Sequence, residues 1–275
     1  MRLLAVAVAG RGLVDPAEPV FSATDDALLR GRAVFESARV YGGRPFRLGD
    51  HVTRLAASAA SLELPPPDRD ECVAVAASVI DAADESELGL RLYWTGTTLV
   101  ATAAAIPPGL EALRRRGIRL VSLPLGAELS RPGWLFAGVK STSYAVNMAA
   151  EAEAKRRGAD DAVFLASGEV VLEAPISNLW WRRGERLFTP ALELGVLAGV
   201  TRATVLELAP PRFEVVQGIF RIDELRAAEE AFTSSSIREL LPVVELDGRP
   251  VGAGAPGEAA RSLQSALRAR ATSGG

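Results

Sequence analysis

The sequence is poor in the residues that disulfides and metal sites need. It has one cysteine, Cys72, and one histidine, His51, among 275 residues. A lone cysteine cannot form an internal disulfide or a metal-thiolate cluster, and it fits a reducing cytoplasm. We expect Cys72 to behave as a small buried apolar residue, His51 to cap or pack at a helix start, and no metal to be bound.

The chain also lacks an excess of positive charge and a long apolar run. Its 31 lysines and arginines are outnumbered by 34 acidic residues, for a net charge of -3, so we expect no nucleic-acid partner. No stretch approaches the ~20 apolar residues of a spanning helix. The short run from Met1 to Ala9 is predicted to be a strand and not a signal peptide. We therefore expect a soluble cytoplasmic protein without a membrane partner.

Lysine is the scarcest charged residue, with Lys140 and Lys155 against 29 arginines. Lys155 lies among charged residues on a predicted polar helix face, which explains it. Lys140 follows an apolar stretch that includes Phe136 and Val139, and it precedes Ser-Thr-Ser-Tyr144. This predicts a lysine in the N-terminal turn of a helix, where the helix dipole and burial favour a neutral amine. A surface lysine at a strand end is the alternative.

The pattern of apolar residues predicts an α+β fold with two domains. Residues 1–109 form a small α+β domain with strands at 3–8, 35–41, 88–94 and 98–105 and helices at 51–62, with Asp50 as its cap, and 68–83. Residues 110–117 form a linker after Pro107-Pro108-Gly109. Residues 118–275 form a larger strand-rich domain, with a helix at about 144–157, a hairpin at 178–189 and further helices at 199–208, 222–230 and 257–270.

Three more features carry candidate chemistry in the second domain. Glu173 ends the apolar strand 170–172, which places a carboxylate inside a site unless it only caps a loop. Gly199-Val200-Thr201 opens a helix, where backbone N–H groups and a hydroxyl hold phosphate, although ordinary capping explains Thr201 equally well. A hydroxyl-rich turn is predicted at Ser234-Ser235-Ser236.

In order along the chain, these motifs resemble the class IV aminotransferases, the family that includes branched-chain and D-amino-acid aminotransferases and aminodeoxychorismate lyase. The matching segments are Arg30-Gly31 with Val34-Phe35-Glu36, His51-Val-Thr-Arg54-Leu55, Lys140, Tyr144, Glu173-Ala-Pro-Ile-Ser-Asn178, Leu197-Ala-Gly-Val-Thr-Arg202, and Phe232 to Ser236 before Pro242-Val243. Ala198 departs from the proline that many relatives have before this glycine.

The resemblance implies pyridoxal 5'-phosphate as cofactor, in a two-domain fold of type IV with a small α+β N-terminal domain and a larger β-barrel-like C-terminal domain, assembled as a homodimer. Lys140 would be the catalytic lysine that forms the internal imine and shuttles the proton. Glu173 would pair with the ring nitrogen and Tyr144 with the phenolic oxygen. The phosphate would be held by Arg54, Val200, Thr201 and Ser236, and the predicted cofactor-binding set also includes Asn178, Gly199 and Ser235.

For the substrate we predict contacts with Arg30, Phe35, Arg91 and Tyr93. Arg91 is the preferred carboxylate ligand, unless it is an edge-strand arginine that faces water. The reaction favoured is transfer of an amino group between an α-amino acid, D-amino acids included, and an α-keto acid. The arginine-x-histidine pair of the best-known D-amino-acid enzymes is missing, since His51 is the only histidine.

Two alternative functions stay open. The tryptophan hairpin Asn178-Leu-Trp-Trp-Arg-Arg183, leading to Phe188-Thr-Pro190, looks like that of the aminodeoxychorismate lyases, which release 4-aminobenzoate and pyruvate in folate synthesis. The second alternative is an inactive homologue that only binds the cofactor. The intact pair of Lys140 and Glu173 argues against it.

Overall fold

A computed structural model of the chain describes residues 2–126, 137–210 and 212–273, so Phe136 lies outside the described residues. The chain forms two compact units. Unit 1 comprises Met1–Pro108, Val139–Tyr144 and Ala271–Gly275, and unit 2 comprises Gly109–Gly138 and Ala145–Arg270. The short return of the chain to unit 1 at Val139–Tyr144 carries Lys140.

Unit 1 is built on a six-stranded antiparallel sheet with the order β2-β1-β6-β5-β3-β4. Its elements are β1 (Leu3–Val8), β2 (Gly12–Val14), α1 (Asp26–Arg30), β3 (Val34–Tyr41), β4 (Arg44–Pro45), α2 (Leu48–Ser61), α3 (Arg69–Ala83), β5 (Glu87–Trp94) and β6 (Leu99–Ala105).

One face of this sheet packs against α2 and α3. Both helices carry apolar residues at helical spacing, with Val52, Leu55 and Ala59 buried on α2 and Cys72, Val75 and Val79 buried on α3. Asp68 caps α3 by accepting a hydrogen bond from the Glu71 N–H, as expected for an Asp before a periodic apolar run. Cys72 is buried in this core, as predicted.

Unit 2 is built on a nine-stranded mixed sheet with the order β12-β11-β10-β13-β14-β7-β8-β9, and β15 pairs with β14. Its elements are α4 (Leu110–Arg116), β7 (Ile118–Pro124), α5 (Ala145–Arg156), β8 (Asp161–Ala166), β9 (Val170–Val171), β10 (Asn178–Arg183), β11 (Arg186–Pro190), α6 (Val200–Leu208), β12 (Glu214–Gly218), α7 (Ile222–Arg226), β13 (Glu230–Ser235), β14 (Glu239–Leu246), β15 (Arg249–Pro250) and α8 (Glu258–Thr272).

The sheet of unit 2 closes on itself like a barrel, as the resemblance implies. An isolated bridge joins Val170 to Arg221, and the Val171 N–H donates to the Phe220 carbonyl at 2.8 Å. The edge strand β9 therefore meets the chain that follows the other edge strand, β12. This contact covers the otherwise open edge of β9.

Two adjacent tryptophans fill both sides of the barrel wall. Trp180 and Trp181 are both fully buried on β10, and successive residues of a strand point to opposite faces. Trp180 stacks on Phe232 and packs with apolar residues of α6 and α8, whereas Trp181 contacts Phe188 and Phe220 in a separate cluster. Each ring removes a large apolar area from water, so the hairpin serves the core of unit 2.

The structure differs from the sequence-based description at several element ends. The predicted linker, residues 110–117, is largely the helix α4 and belongs to unit 2. Helix α2 begins at Leu48 after Arg47, which has a left-handed φ of 52°, so Asp50 lies in the first turn and is not its cap. Helix α7 ends at Arg226, because the chain then enters β13. Among the described residues no helix is both long and apolar enough to cross a membrane.

We predict that two glycines beside β15 differ sharply in their tolerance of alanine. Gly252 has a φ of 54°, and an added Cβ would lie 1.9 Å from the Glu229 carbonyl oxygen. Gly248 also has a positive φ, 74°, but no atom lies within 4 Å of such a Cβ. Gly248→Ala should cost about 1 kcal/mol of unfolding free energy, from backbone strain alone. Gly252→Ala should cost about 3 kcal/mol, since steric overlap is added.

Urea unfolding followed by tryptophan fluorescence measures both values. Equal costs at the two positions would contradict the close approach at Gly252.

Candidate functional site

The segment that carries Lys140 is held against the start of β3 by backbone hydrogen bonds. The Phe35 N–H donates to the Lys140 carbonyl at 3.0 Å, and the Thr142 N–H donates to the Ala33 carbonyl at 2.9 Å. On its other side, the Lys140 N–H donates to Oγ of Ser58 at 3.2 Å. Lys140 is therefore in an extended segment five residues before α5, and not in the helix turn that its sequence context predicts.

The amine of Lys140 lies over aromatic rings. Its Nζ is 4.3 Å from the ring centre of Phe35 and 6.0 Å from that of Tyr144. Phe35 meets Tyr144 edge to face at 5.3 Å and stacks on Tyr93 at 6.1 Å. We call Phe35, Arg91, Tyr93, Lys140 and Tyr144 the lysine cluster. Its rings exclude water from one side of the amine, so the structure brings these five predicted site residues together.

Arg91 and Tyr93 join this cluster through the pairing of β3 and β5. In the sheet Phe35 lies opposite Tyr93, and Ser37 lies opposite Arg91. Nη1 of Arg91 lies 3.4 Å from the Tyr93 hydroxyl. Nε of Arg91 is buried and has no hydrogen-bond partner among the described residues. A buried cationic donor without an acceptor is costly, and an anionic ligand would satisfy it.

A second group of ionisable residues is built around the opposite face of β3. Glu36 is only 1% exposed, and its two oxygens accept hydrogen bonds from Nε and Nη2 of Arg54, both at 2.7 Å. Nδ1 of His51 lies 2.7 Å from Oε2 of Glu36. We call Glu36, His51 and Arg54 the Glu36 triad.

Glu36 and His51 have different charge states at neutral pH. Burial would raise the pKa of the Glu36 carboxyl, but the hydrogen bonds and charges of Arg54 and His51 outweigh it and lower the pKa to about 2. Burial lowers the pKa of His51 against the effect of Glu36, and the charges of Arg54 and Lys140 lower it further. At neutral pH Glu36 is therefore ionised and His51 is neutral.

In unit 2, Glu173 follows β9 and its carboxylate is held by two donors. Nδ2 of Asn178 donates to one oxygen at 2.9 Å, and the Leu197 N–H donates to the other at 3.0 Å. The same Nδ2 also donates to the Leu197 carbonyl at 2.8 Å. Asn178, predicted to bind the cofactor, thus contacts Glu173 and the turn at 197–199.

This turn leads into α6, whose N-terminus is the predicted phosphate site. Gly199 is the residue before α6, and no side chain of the described residues caps the helix. A Cβ on Gly199 would lie 2.1 Å from Oδ1 of Asn178, so only glycine allows this close approach. Val200 and Thr201 are buried in the first turn of α6, where backbone N–H groups point away from the helix and can bind an anion.

Arg202, the last residue of the same motif, supports this helix start. It is buried, and its Nη2 donates to the Pro190 carbonyl at 3.1 Å and to Oε1 of Gln217 at 2.8 Å. Its guanidinium lies 5.9 Å from the centre of the Trp180 ring. Burial lowers the pKa of Arg202, while the charges of Glu173 and Glu193 raise it. Arg202 thereby ties α6 to β11 and β12.

The remaining predicted residues lie in different settings. Ser235 ends β13 and Ser236 follows it, both half-buried, while the neighbouring Ser234 accepts a hydrogen bond from Nε1 of Trp180 at 2.9 Å. Arg30 lies at the end of the short helix α1, largely exposed, in an ion pair with Asp26. The structure does not bring Arg30 to the lysine cluster of its own chain.

Sequence reasoning missed the roles of Glu36, His51 and Ser58. One signal was available, because Glu36 alternates with Val34, Ala38 and Val40 on the buried face of β3, where a charge needs a partner. Another was the spacing of His51, Arg54 and Ser58, which places all three on one face of α2.

Comparisons with known proteins agree with these motifs. Residues 33–246 match the model of the family described as "Amino-transferase class IV". A relative from Mycobacterium tuberculosis, named as a bifunctional aminodeoxychorismate lyase and D-amino acid transaminase, is 31% identical over 86% of this chain and 89% of its own length. The chain spans 47% of a longer plant relative, the branched-chain-amino-acid aminotransferase-like protein 2 of Arabidopsis thaliana, at 29% identity.

Solved structures show the same fold. A fold IV transaminase from Curtobacterium pusillum is 35% identical, with a TM-score of 0.85 over 96% of this chain and 97% of its own. A hypothetical aminotransferase from M. tuberculosis, bound to α-ketoglutarate and the pyridoxamine form of the cofactor, is 28% identical, with a TM-score of 0.90 over 98% and 100% of the two chains. The predicted fold class, enzyme class and pyridoxal-phosphate cofactor are thus confirmed, and the chain belongs to the class IV aminotransferase family.

Proposed function

We propose that this enzyme transfers an amino group between an α-amino acid and an α-keto acid, with Lys140 as its catalytic residue. The observation that carries the proposal is the setting of Lys140. It is one of only two lysines in the chain, its backbone is held on both sides, and its amine lies on the rings of Phe35 and Tyr144. A lysine that must bind a carbonyl group and move a proton needs such a fixed, partly dry position.

The residues present fit pyridoxal phosphate. The cofactor requires a carboxylate for its ring nitrogen, and Glu173 is held in one orientation by Asn178 and the Leu197 N–H. It requires an anion site for its phosphate, which the start of α6 at Val200 and Thr201 offers, since no described side chain caps that helix. It requires an amine, which is Lys140. We assign Arg54 and Ser236 to the phosphate and Tyr144 to the phenolic oxygen, as the resemblance implies.

When bound, the cofactor accepts the electrons that the substrate α-carbon releases on losing a proton. The residues of this chain divide the other tasks among them. Nζ of Lys140 would take the proton from the α-carbon as a general base and then deliver it to the cofactor as a general acid. The rings of Phe35 and Tyr144 shield one side of that amine from water. Glu173 would accept a hydrogen bond from the ring nitrogen, and its negative charge would keep that nitrogen protonated.

We assign the substrate carboxylate to Arg91 and Tyr93. They lie beside Phe35 in the lysine cluster, and the buried Nε of Arg91 lacks a partner among the described residues. An arginine presents its donors in a fork that matches a carboxylate. Arg30 is exposed and paired with Asp26 within its own chain, so we rank it below Arg91.

A second candidate reaction is elimination of pyruvate from aminodeoxychorismate. The name of the M. tuberculosis relative, which combines this lyase activity with D-amino acid transamination, supports it. The tryptophan hairpin does not discriminate between the two reactions, since Trp180 and Trp181 are fully buried in the core. The same Lys140 would act in both reactions, and the lyase needs no amino acceptor.

We further propose that the enzyme is a cytoplasmic homodimer. Light scattering, which measures the mass of the protein in solution, will test the dimer.

The first prediction from the proposed function concerns Lys140. Wild-type enzyme loaded with pyridoxal phosphate should show the absorption band of covalently bound cofactor, and that band should shift when amino acids of one enantiomer are added without a keto acid. The Lys140→Ala variant should lack the covalent band, and its transamination rate should be lower by at least about 10²-fold. Lys155→Ala is the matched control, because Lys155 is the other lysine and lies exposed on α5.

Each outcome of this experiment separates the candidate functions. A band that no amino acid shifts, but that changes with aminodeoxychorismate, supports the lyase. A wild-type protein without any band would refute the proposed function.

The second prediction concerns Glu173. Glu173→Gln keeps the shape of the side chain but removes the charge that stabilises a protonated ring nitrogen, so the transamination rate should fall about 10²-fold or more. The exposed Glu169, which pairs with Arg221 in the same unit, provides the control variant Glu169→Gln. Steady-state rates and cofactor absorption measure both variants. An unchanged rate in Glu173→Gln would remove Glu173 from the site.

The third prediction concerns the substrate carboxylate. Arg91→Gln should raise KM for the keto acid about 10- to 100-fold, the loss expected for a charged hydrogen bond, with a smaller change in kcat and an unchanged cofactor spectrum. Arg44→Gln, at an exposed position of β4, is the control. A fall in kcat alone would place Arg91 outside the carboxylate site.

A further inference from the structure

Glu36 is a buried charge on an otherwise apolar strand face. Val34, Ala38 and Val40 on the same face of β3 belong to the core against α2 and α3, and Glu36 is 1% exposed. Taking a carboxylate out of water is costly unless it is paired and hydrogen-bonded. A glutamate at this position therefore requires a reason beyond packing.

The carboxylate is fully engaged by donors. Nε and Nη2 of Arg54 bind one oxygen each, both at 2.7 Å, in the two-point geometry that fixes the plane of a guanidinium. Oε2 of Glu36 also accepts from the Ser37 N–H at 3.2 Å and lies 2.7 Å from Nδ1 of His51. With both its Nε and its Nη2 committed, the Arg54 guanidinium has one orientation.

The role of His51 follows from its partner. An ionised carboxylate can only accept hydrogen bonds, so Nδ1 of His51 carries a hydrogen. The buried imidazole is neutral, as derived above, so its Nε2 carries none. His51 is thus a neutral donor, which satisfies Glu36 without adding a second positive charge beside Arg54.

The face of α2 that holds this triad also contacts the backbone of the catalytic lysine. His51, Arg54 and Ser58 are spaced at three and four residues along α2, and Oγ of Ser58 accepts from the Lys140 N–H at 3.2 Å. One rigid helix face therefore presents Arg54 and anchors Lys140.

We propose that Glu36 is a positioning residue that fixes the Arg54 guanidinium for the phosphate group of the cofactor, with His51 as a neutral, Nδ1-protonated third member. The inference rests on the proposed function in assigning Arg54 to the phosphate. Two effects of Glu36 oppose each other, since its negative charge repels a phosphate while its bonds hold Arg54 in place. We expect the orientation of the Arg54 guanidinium to be the stronger effect, because an unpaired Arg54 would turn toward other acceptors.

The test compares two ligands that differ only in the phosphate. The cofactor-free full chain is titrated with pyridoxal phosphate and with pyridoxal, and the ratio of their dissociation constants measures the preference for phosphate. Glu36→Gln should lower this preference about tenfold or more. Arg54→Lys should do the same, and the double variant should lose no more than the larger single loss, since both act through one guanidinium. Glu85→Gln, which removes an exposed carboxylate paired with Arg2 in unit 1, should leave it unchanged.

Three results would overturn the inference. A higher phosphate preference in Glu36→Gln means that repulsion dominates, and equal weakening of both ligands means that Glu36 is only structural. Losses in the two single variants that add in the double variant mean that Glu36 does not act through Arg54. A wild-type protein with no phosphate preference overturns the assignment of Arg54 itself, which is a failure of the proposed function and is recognised without any variant.

A measurement on the wild-type enzyme keeps the proposal testable if Glu36→Gln does not fold. His51 is the only histidine, so the imidazole region of a ¹H–¹⁵N NMR spectrum reports this one ring. The spectrum at pH 7 should be that of a neutral ring with its hydrogen on Nδ1. A charged ring, or a hydrogen on Nε2, overturns the triad as described.

Discussion

The arrangement of the lysine cluster depends on one set of hydrogen bonds, those between the Lys140 segment and the start of β3. The chain returns to unit 1 for only six residues, Val139–Tyr144, and these are held by the exchanged bonds with Ala33 and Phe35 and by Ser58. Because Phe35 is both a bonding partner of this segment and the ring beneath the Lys140 amine, backbone pairing and side-chain geometry are set together. A six-residue segment has no core of its own, so these contacts determine where the amine lies.

Two carboxylates, the buried Glu36 and the half-buried Glu173, are held on the same principle in the two units. Glu36 lies within an apolar strand and Glu173 follows one, and each accepts hydrogen bonds from side-chain donors and from a backbone N–H. Fixed donors orient a carboxylate before any ligand arrives, which is the kind of preorganisation on which electrostatic catalysis depends. Their surroundings differ, since Glu36 faces two nitrogen-bearing side chains of α2, whereas Glu173 is tied to the turn that opens α6.

The sequence predicted local features better than long-range ones. The apolar periodicity of α2 and α3, the Asp68 cap and the glycine before α6 are all encoded within a few residues, and the structure has them. The family motifs also named Lys140, Glu173 and Arg54. The bond from Asn178 to Glu173 spans five residues, and its Nδ2 reaches the Leu197 carbonyl 19 residues away. Such contacts depend on the strand order in the sheet of unit 2, and the periodicity of apolar residues does not predict strand order.

The setting of Lys140 differs from the prediction because helix-capping residue types found other partners. Ser141, Thr142 and Ser143 are residues that cap helices well, so the sequence predicted a helix turn at Lys140. In the structure the hydroxyls of Thr142 and Ser143 instead donate to the Gly31 carbonyl. Side chains that cap helices also bind neighbouring backbone in other conformations, and a partner more than 100 residues away decided between the two.

The choice between amino transfer and elimination does not depend on the residues that are easiest to recognise. Lys140 and Glu173 would act in both reactions, because both begin with a proton leaving or reaching a carbon next to the cofactor. What differs is the second half, in which a transaminase must bind a keto acid at the position that the first product has left. A carboxylate site that serves two successive substrates is required only there. If the substrate carboxylate binds Arg91 and Tyr93, as we propose, these two residues, which belong to the lysine cluster through the pairing of β3 with β5, are the ones on which this distinction depends.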